Sequence, residues 1–184
     1  MPLRPHKAEP MPPHDMEDLY ARPGFIIRRA HQIVAALFDE AAADLGITTT
    51  QYSVLHTLRA TPGIDQISLC ALTGIDRSTA TMVLRLLEEN GLITRTSDPQ
   101  DRRRKLLALT GEGVALLQRA EPVTHVISDQ MRTVLSEKEL ATLKSLLGKF
   151  VSAFNGRVRN PLIAPDAGRR TRQRSARLGT MQSD

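Results

Sequence analysis

The stretch Asp98-Pro99-Gln100-Asp101-Arg102-Arg103-Arg104-Lys105-Leu106-Leu107-Ala108-Leu109-Thr110 sets four consecutive cations directly behind two carboxylates and then turns apolar. Neighbouring like charges repel, so a merely solvated loop gains nothing from such crowding. The run reads instead as the tip and returning strand of a β-hairpin. Gly91 ends a helix, Leu92 to Arg95 form the outgoing strand, and Lys105 to Leu109 form the return.

Upstream, the pattern is helical. Ile26, Ala30, Ile33, Leu37 and Ala41 recur at steps of three and four, predicting a helix from about Gly24 to about Gly46. Thr48 to Thr50 offer N-caps for a helix carrying Val54, Leu55 and Leu58, closed by Thr61-Pro62-Gly63. Two short helices follow, about Asp65 to Leu72 and Asp76 to Asn90, parted by Thr73-Gly74. Downstream, Thr110 caps a helix with Val114, Leu116 and Leu117 apolar, and Pro122 is expected to start a new segment or kink it. Ser136-Glu137-Lys138-Glu139 is a capping box that opens a last helix bearing Leu140, Leu143, Leu147, Phe150 and Phe154.

Helix, turn, helix and two-stranded hairpin in that order make a winged helix-turn-helix in a mainly α chain with a small β-hairpin wing. Within Leu69 to Thr81, Leu69 and Ile75 are core positions, Gly74 suits a positive-φ turn, and Cys70 is small enough for the two helices to approach. Asp76 caps the second helix, which opens with Arg77, Ser78, Thr79 and Thr81. Short polar side chains at a helix N-terminus fit a major groove. Arg85, two turns after Arg77, suits a phosphate, while Ala80, Val83, Leu84 and Leu87 face the core.

The opening stretch then has a purpose. A hairpin tip beside such a helix lies against a polyanion, where cations gain by displacing condensed counterions. Asp101 is expected to hold the guanidinium of Arg103 extended toward a minor groove, with Arg102, Arg104 and Lys105 on phosphates.

Composition is consistent with this. In 184 residues, hydrophobic residues make up 41% but aromatics only 3%, so the core is Leu, Ile, Val and Ala, as in packed helices. No apolar run reaches the ~18–20 residues of a membrane span, the N-terminus shows no signal-peptide core, and one cysteine excludes an intrachain disulfide framework. A cytoplasmic location is the expectation. The net charge of +5 is unevenly placed: residues 159–184 carry six arginines against two aspartates, and the segment 95–105 carries five cations against two aspartates. The expected organisation is a flexible arm over 1–23, with six prolines; a dimerisation and pocket helix over 24–47; the winged domain over 48–110; dimerisation helices over 111–158; and a basic disordered tail over 159–184.

The segment Gly91 to Gly113 resembles the wing signature of the multiple antibiotic resistance regulator (MarR) family, Asp-x-Arg followed by Leu-Thr-x-x-Gly, here Asp101, Arg103, Leu109, Thr110 and Gly113. The likeness extends from about Gly24 to Phe154. It implies a homodimer formed by the N- and C-terminal helices, with each subunit presenting one winged helix to double-stranded DNA at a palindromic operator. It also implies a repressor released by a small ligand bound between the dimerisation and DNA-binding parts.

For that ligand, Arg28, Arg29 and His31 sit one turn into the first helix, at the border of its apolar stripe. A cation at the edge of an apolar pocket is what an aromatic carboxylate or its coenzyme A thioester requires, and relatives that sense aromatic acids are similar in having basic residues here. The alternative for the three basic residues is a salt bridge across a dimer or solvated charge on the outer face; Phe38 and His56 are candidates to line the same pocket, and core packing explains those two about as well.

Two other readings compete: a nonspecific architectural DNA-binder, suggested by the tail, and an oxidant-sensing repressor using Cys70. A tight helix crossing favours an inert thiol there. The five histidines show no metal-ligand spacing, and no nucleophile–base–acid set or phosphate-binding glycine loop is present. Neither an enzyme nor a bound cofactor is expected.

Overall fold

The computed structural model describes residues 15–163. Asp15 caps a short helix α1, Met16–Tyr20, so the arm expected over 1–23 is helical at its end. Pro23 then occupies the first turn of α2, Pro23–Ala41, where its missing N–H costs nothing. A 3-10 turn, Ala43–Leu45, ends on left-handed Gly46. Thr48 and Gln51 form a reciprocal capping box for α3, Thr49–Ala60.

A strand the sequence reading passed over comes next: β1, Ile64–Asp65. It is followed by α4, Gln66–Thr73; α5, Arg77–Glu89; β2, Ile93–Ser97; and β3, Lys105–Leu109. The three strands form one antiparallel sheet in the order β1-β3-β2, with Ile64 opposite Leu107 and Arg95 also opposite Leu107 from the other side. The wing is therefore a three-stranded sheet with β3 at its centre.

Helix α6 runs unbroken from Gly111 to Arg132, through Pro122. No new segment starts at Pro122, one of the two outcomes expected there. Ala120 and Val123, one on either side of the proline, are buried against α2 and hold the helix together across the missing bond. The last helix, α7, Glu137–Phe154, opens with the capping box of Ser136 and Glu139.

Two apolar clusters share Tyr52 and Leu116 at their boundary. The larger holds Val54, Leu55, Leu58, Leu69, Leu84, Leu87, Ile93, Leu107 and Leu117 and unites the helix-turn-helix with the wing. The smaller, Phe38, Ala42, Ile47, Ala120 and Val123, joins α2 to α6. Helix α6 is seated on the wing by backbone contact: Thr110 N–H donates to the Leu92 carbonyl at 3.0 Å. A Cβ on Gly113 would lie 2.0 Å from that same carbonyl oxygen, so only glycine fits there.

In contrast, the stripes predicted on the first and last long helices are half open. Ile26 and Ile33 on α2, and Leu147, Phe150 and Phe154 on α7, are exposed. Beyond α7 the chain folds back. Asn155 brackets Leu162, its Nδ2 donating to the Leu162 carbonyl and its Oδ1 accepting from the Leu162 N–H, both at 2.8 Å. Ile163 N–H then donates to the Ala71 carbonyl at the end of α4, at 2.8 Å, satisfying one of the carbonyls a helix terminus leaves open. The expected tail thus begins with a segment tied down as far as Ile163; the rest of it, and the arm before Asp15, lie outside the described residues.

Candidate nucleic-acid interface

The geometry starts at Gly74, whose φ of 73° places α5 across the end of α4. Asp76 then caps α5 with both carboxylate oxygens. It accepts the Ser78 hydroxyl, the Thr79 N–H at 2.9 Å and the Thr79 hydroxyl at 2.7 Å. These three donors, the Ser78 hydroxyl foremost, hold the carboxyl well below the usual carboxylate range. On the next turn the Thr81 hydroxyl donates to the Arg77 carbonyl at 2.7 Å and accepts from Gln66 Nε2 at 2.8 Å.

The hydroxyl protons of Ser78, Thr79 and Thr81 are therefore all engaged within the chain. What they present outward is oxygen, an acceptor. Thr79 is half-buried and serves the cap, while Arg77, Ser78, Thr81 and Arg85 are exposed. Arg85 lies 3.5 Å from Glu89, one turn on.

The wing is organised differently from the expectation. Asp101 accepts the backbone N–H of Arg103 at 3.0 Å rather than its guanidinium, and its own carbonyl accepts the Arg104 N–H at 2.9 Å. It shapes the turn. The guanidinium that is held belongs to Arg104, which meets Asp65 at 2.5 Å and Asp98 at 3.6 Å instead of pointing outward for a phosphate. Burial alone would raise the Asp65 carboxyl, but the Ser68 N–H and Arg104 outweigh it and leave Asp65 below its ordinary range. Arg102 and Arg103 are exposed, and among the described residues neither forms an ion pair. Lys105 donates to Ser97 Oγ at 2.8 Å.

Two adjacent residues thus tie the parts together. Asp65 grips the wing through Arg104, and Gln66 grips α5 through Thr81. Sequence reasoning missed both; the only sign was their place at the start of α4. It also missed Met82, which with Ser78, Arg85 and Glu89 forms the outermost stripe of α5 at steps of four, three and four.

The chain so built matches the MarR family model over residues 47–105. It is 37% identical over 128 residues to the putative transcriptional regulatory protein for the hcr operon of Thauera aromatica, covering 67% of this chain and 75% of that one. The chain belongs to the MarR family. Its members among the solved structures include the transcriptional repressor CouR bound to a 23-mer DNA duplex, with a TM-score of 0.69 and 33% identity over 74% of this chain and 97% of that one. Bordetella bronchiseptica BpsR, described with the regulation of its DNA binding by 6-hydroxynicotinic acid, has a TM-score of 0.69 and 29% identity over 76% of this chain and 97% of that one. As a MarR-family protein, the chain is of the class of DNA-binding transcriptional regulators.

Of the five residues considered for a ligand, the structure gathers two. Phe38 is buried in the smaller core and stacks on Tyr52 at 5.6 Å, and Tyr52 stands 6.0 Å from His56. His56 lines an open cleft of about 320 Å³ with Tyr52, Ser53, Thr57, Leu72 and Thr73. Arg28, Arg29 and His31 are exposed on α2 and do not line it; Arg28 lies over the Phe25 ring at 5.0 Å and Arg29 donates to Gln32 at 3.4 Å. Cys70 is 6% exposed, and burial pushes its thiol up, away from the thiolate an oxidant would attack. Among the described residues no helix is long and apolar enough to cross a membrane.

Proposed function

We propose that this MarR-family chain is a homodimeric, ligand-responsive repressor of a palindromic operator. The observation that carries the reading is the common anchorage of α5 and the wing on Asp65 and Gln66. That anchorage presents Arg77 and Arg85 on one side and Arg102 and Arg103 on the other as one stiff cationic unit. Two α5 helices enter successive major grooves about one turn apart, and the wing tips reach the flanking backbone and minor grooves. The exposed apolar stripes of α2 and α7 supply the dimer contact.

Ser78 and Thr81 accept from exocyclic amino groups of bases, Arg85 and Lys105 bind phosphates, and Arg103 enters a minor groove. Arg104 and Asp101 act on the wing rather than on the DNA. An effector that prefers a different spacing of the two winged domains lowers operator affinity by its differential binding to the two states. Its class is a small aromatic carboxylate or the corresponding coenzyme A thioester, its acid group held by Arg28 or Arg29 on the exposed face of α2 rather than in the Tyr52–His56 cleft, which neither arginine lines. The relative BpsR, whose regulator is itself an aromatic acid, supports that class.

DNA binding is tested with a duplex selected from a random pool, challenged with excess random competitor at fixed salt. The selected palindrome should survive the competitor; its loss would make the protein a nonspecific architectural binder. Arg103→Ala should cost about 1–3 kcal/mol of affinity with the circular dichroism unchanged, and an unaltered Kd removes Arg103 from the interface. The effector class is tested by thermal shift of the purified protein with benzoates, cinnamates and their coenzyme A thioesters, repeated in Arg28→Ala and Arg29→Ala. A stabilisation lost in one arginine variant identifies the anchor, whereas none with any compound discards the class.

A further inference from the structure

One side chain on the DNA-facing side of α5 has no role in the fold. Met82 is 64% exposed, the most exposed large apolar residue of its helix. It belongs to none of the core clusters' buried residues, which take Val83, Leu84 and Leu87 from the same helix. It sits one turn beyond Ser78 and three residues before Arg85, at the middle of the outer stripe.

A thioether has no proton to donate, so it gains nothing from a phosphate, which only accepts. A protein partner seeking an apolar anchor would have to bury Ser78, Arg85 and Glu89 around it, and burying those groups unpaired is costly. Within a major groove, however, the base edges offer one apolar group: the C5-methyl of thymine. Met is long, unbranched and polarizable, suited to close against a lone methyl whose exact position is set by the duplex. The Ser78 oxygen one turn away, its proton held by Asp76, accepts, and adenine presents its N6 amino group on the same groove edge as its thymine partner's methyl.

Resting on the DNA-binding reading above, we infer that Met82 is a specificity-determining residue that reads a thymine methyl in each half-site. The experiment uses the full chain and its pool-selected duplex, with each thymine replaced in turn by deoxyuridine, which removes the methyl alone. For the wild type, one position per half-site should lose affinity about three- to five-fold, the worth of one buried methyl-sized group. Met82→Ala, at an exposed site where alanine favours the helix, should bind the thymine duplex correspondingly less well and be indifferent to uracil at that position.

The inference is overturned if no thymine methyl affects wild-type binding, or if Met82→Ala keeps the same uracil penalty. Either result leaves the DNA-binding reading standing. A pool from which no sequence is enriched overturns that reading, and this one with it.

Discussion

Asp76 shows how one residue can serve the fold and the face at once. Its carboxylate closes the first turn of α5 and, by the same bonds, fixes which way the neighbouring hydroxyls point. Because its folded pKa is depressed, its contribution to stability is complete above the ordinary carboxylate range, about 3.9 in an unfolded chain, and fades as pH falls below it. Asp76→Ala should therefore lower the Tm at neutral pH, and the gap from wild type should narrow on acidification below about pH 4; a gap that stays constant in acid would show that the cap carries no charge-dependent stability. The capping role was legible from Asp-x-Ser-Thr spacing alone. The engagement of the hydroxyl protons was not, because Gln66 and Thr81 are fifteen positions apart and meet only after α4 crosses α5. For the same reason four consecutive cations could not be told apart: which of Arg103 and Arg104 is held depends on Asp65, thirty-nine positions before Arg104.

At the scale of elements, local patterning predicted every helix from α2 onward and the two hairpin strands, while β1 escaped. Two residues after Pro62-Gly63 carry no period, and β1 exists only because the edge of β3 accepts it. Pro122 is the opposite case, a strong local signal overruled by packing on both sides of it. Gly113 is a third: the family signature includes it, but its reason is the Leu92 carbonyl, which belongs to another element. Gly113→Ala should destabilise the fold by about 2–3 kcal/mol, as overpacking does, whereas Gly111→Ala, with nothing within 4 Å of its added methyl, should be neutral or slightly stabilising. Chemical denaturation of the two variants checks this; equal stabilities would mean that the α6–wing seat yields easily.

For the molecule as a whole, the long helices leave an apolar surface open among the described residues. The stripe on α7 begins buried at Leu140 and is open by Phe150 and Phe154, whose rings stack at 5.1 Å. Its period was plain in the sequence, yet periodicity does not say whether the covering partner lies in the same chain. Phe150→Asp should shift the protein to a monomer in analytical ultracentrifugation and weaken operator binding; a dimer of unchanged affinity would place the subunit contact elsewhere.

The return of the chain from α7 to α4 has a mechanical consequence. Asn155 and Leu162 make a latch, and Ile163 fastens it to the carbonyl of Ala71, three residues before the glycine that sets the angle of α5. A pull on α7 can thus reach α4 and the turn into α5 through this hydrogen-bonded return as well as through the core. A single amide, that of Ile163, stands at the point where such a force would be felt.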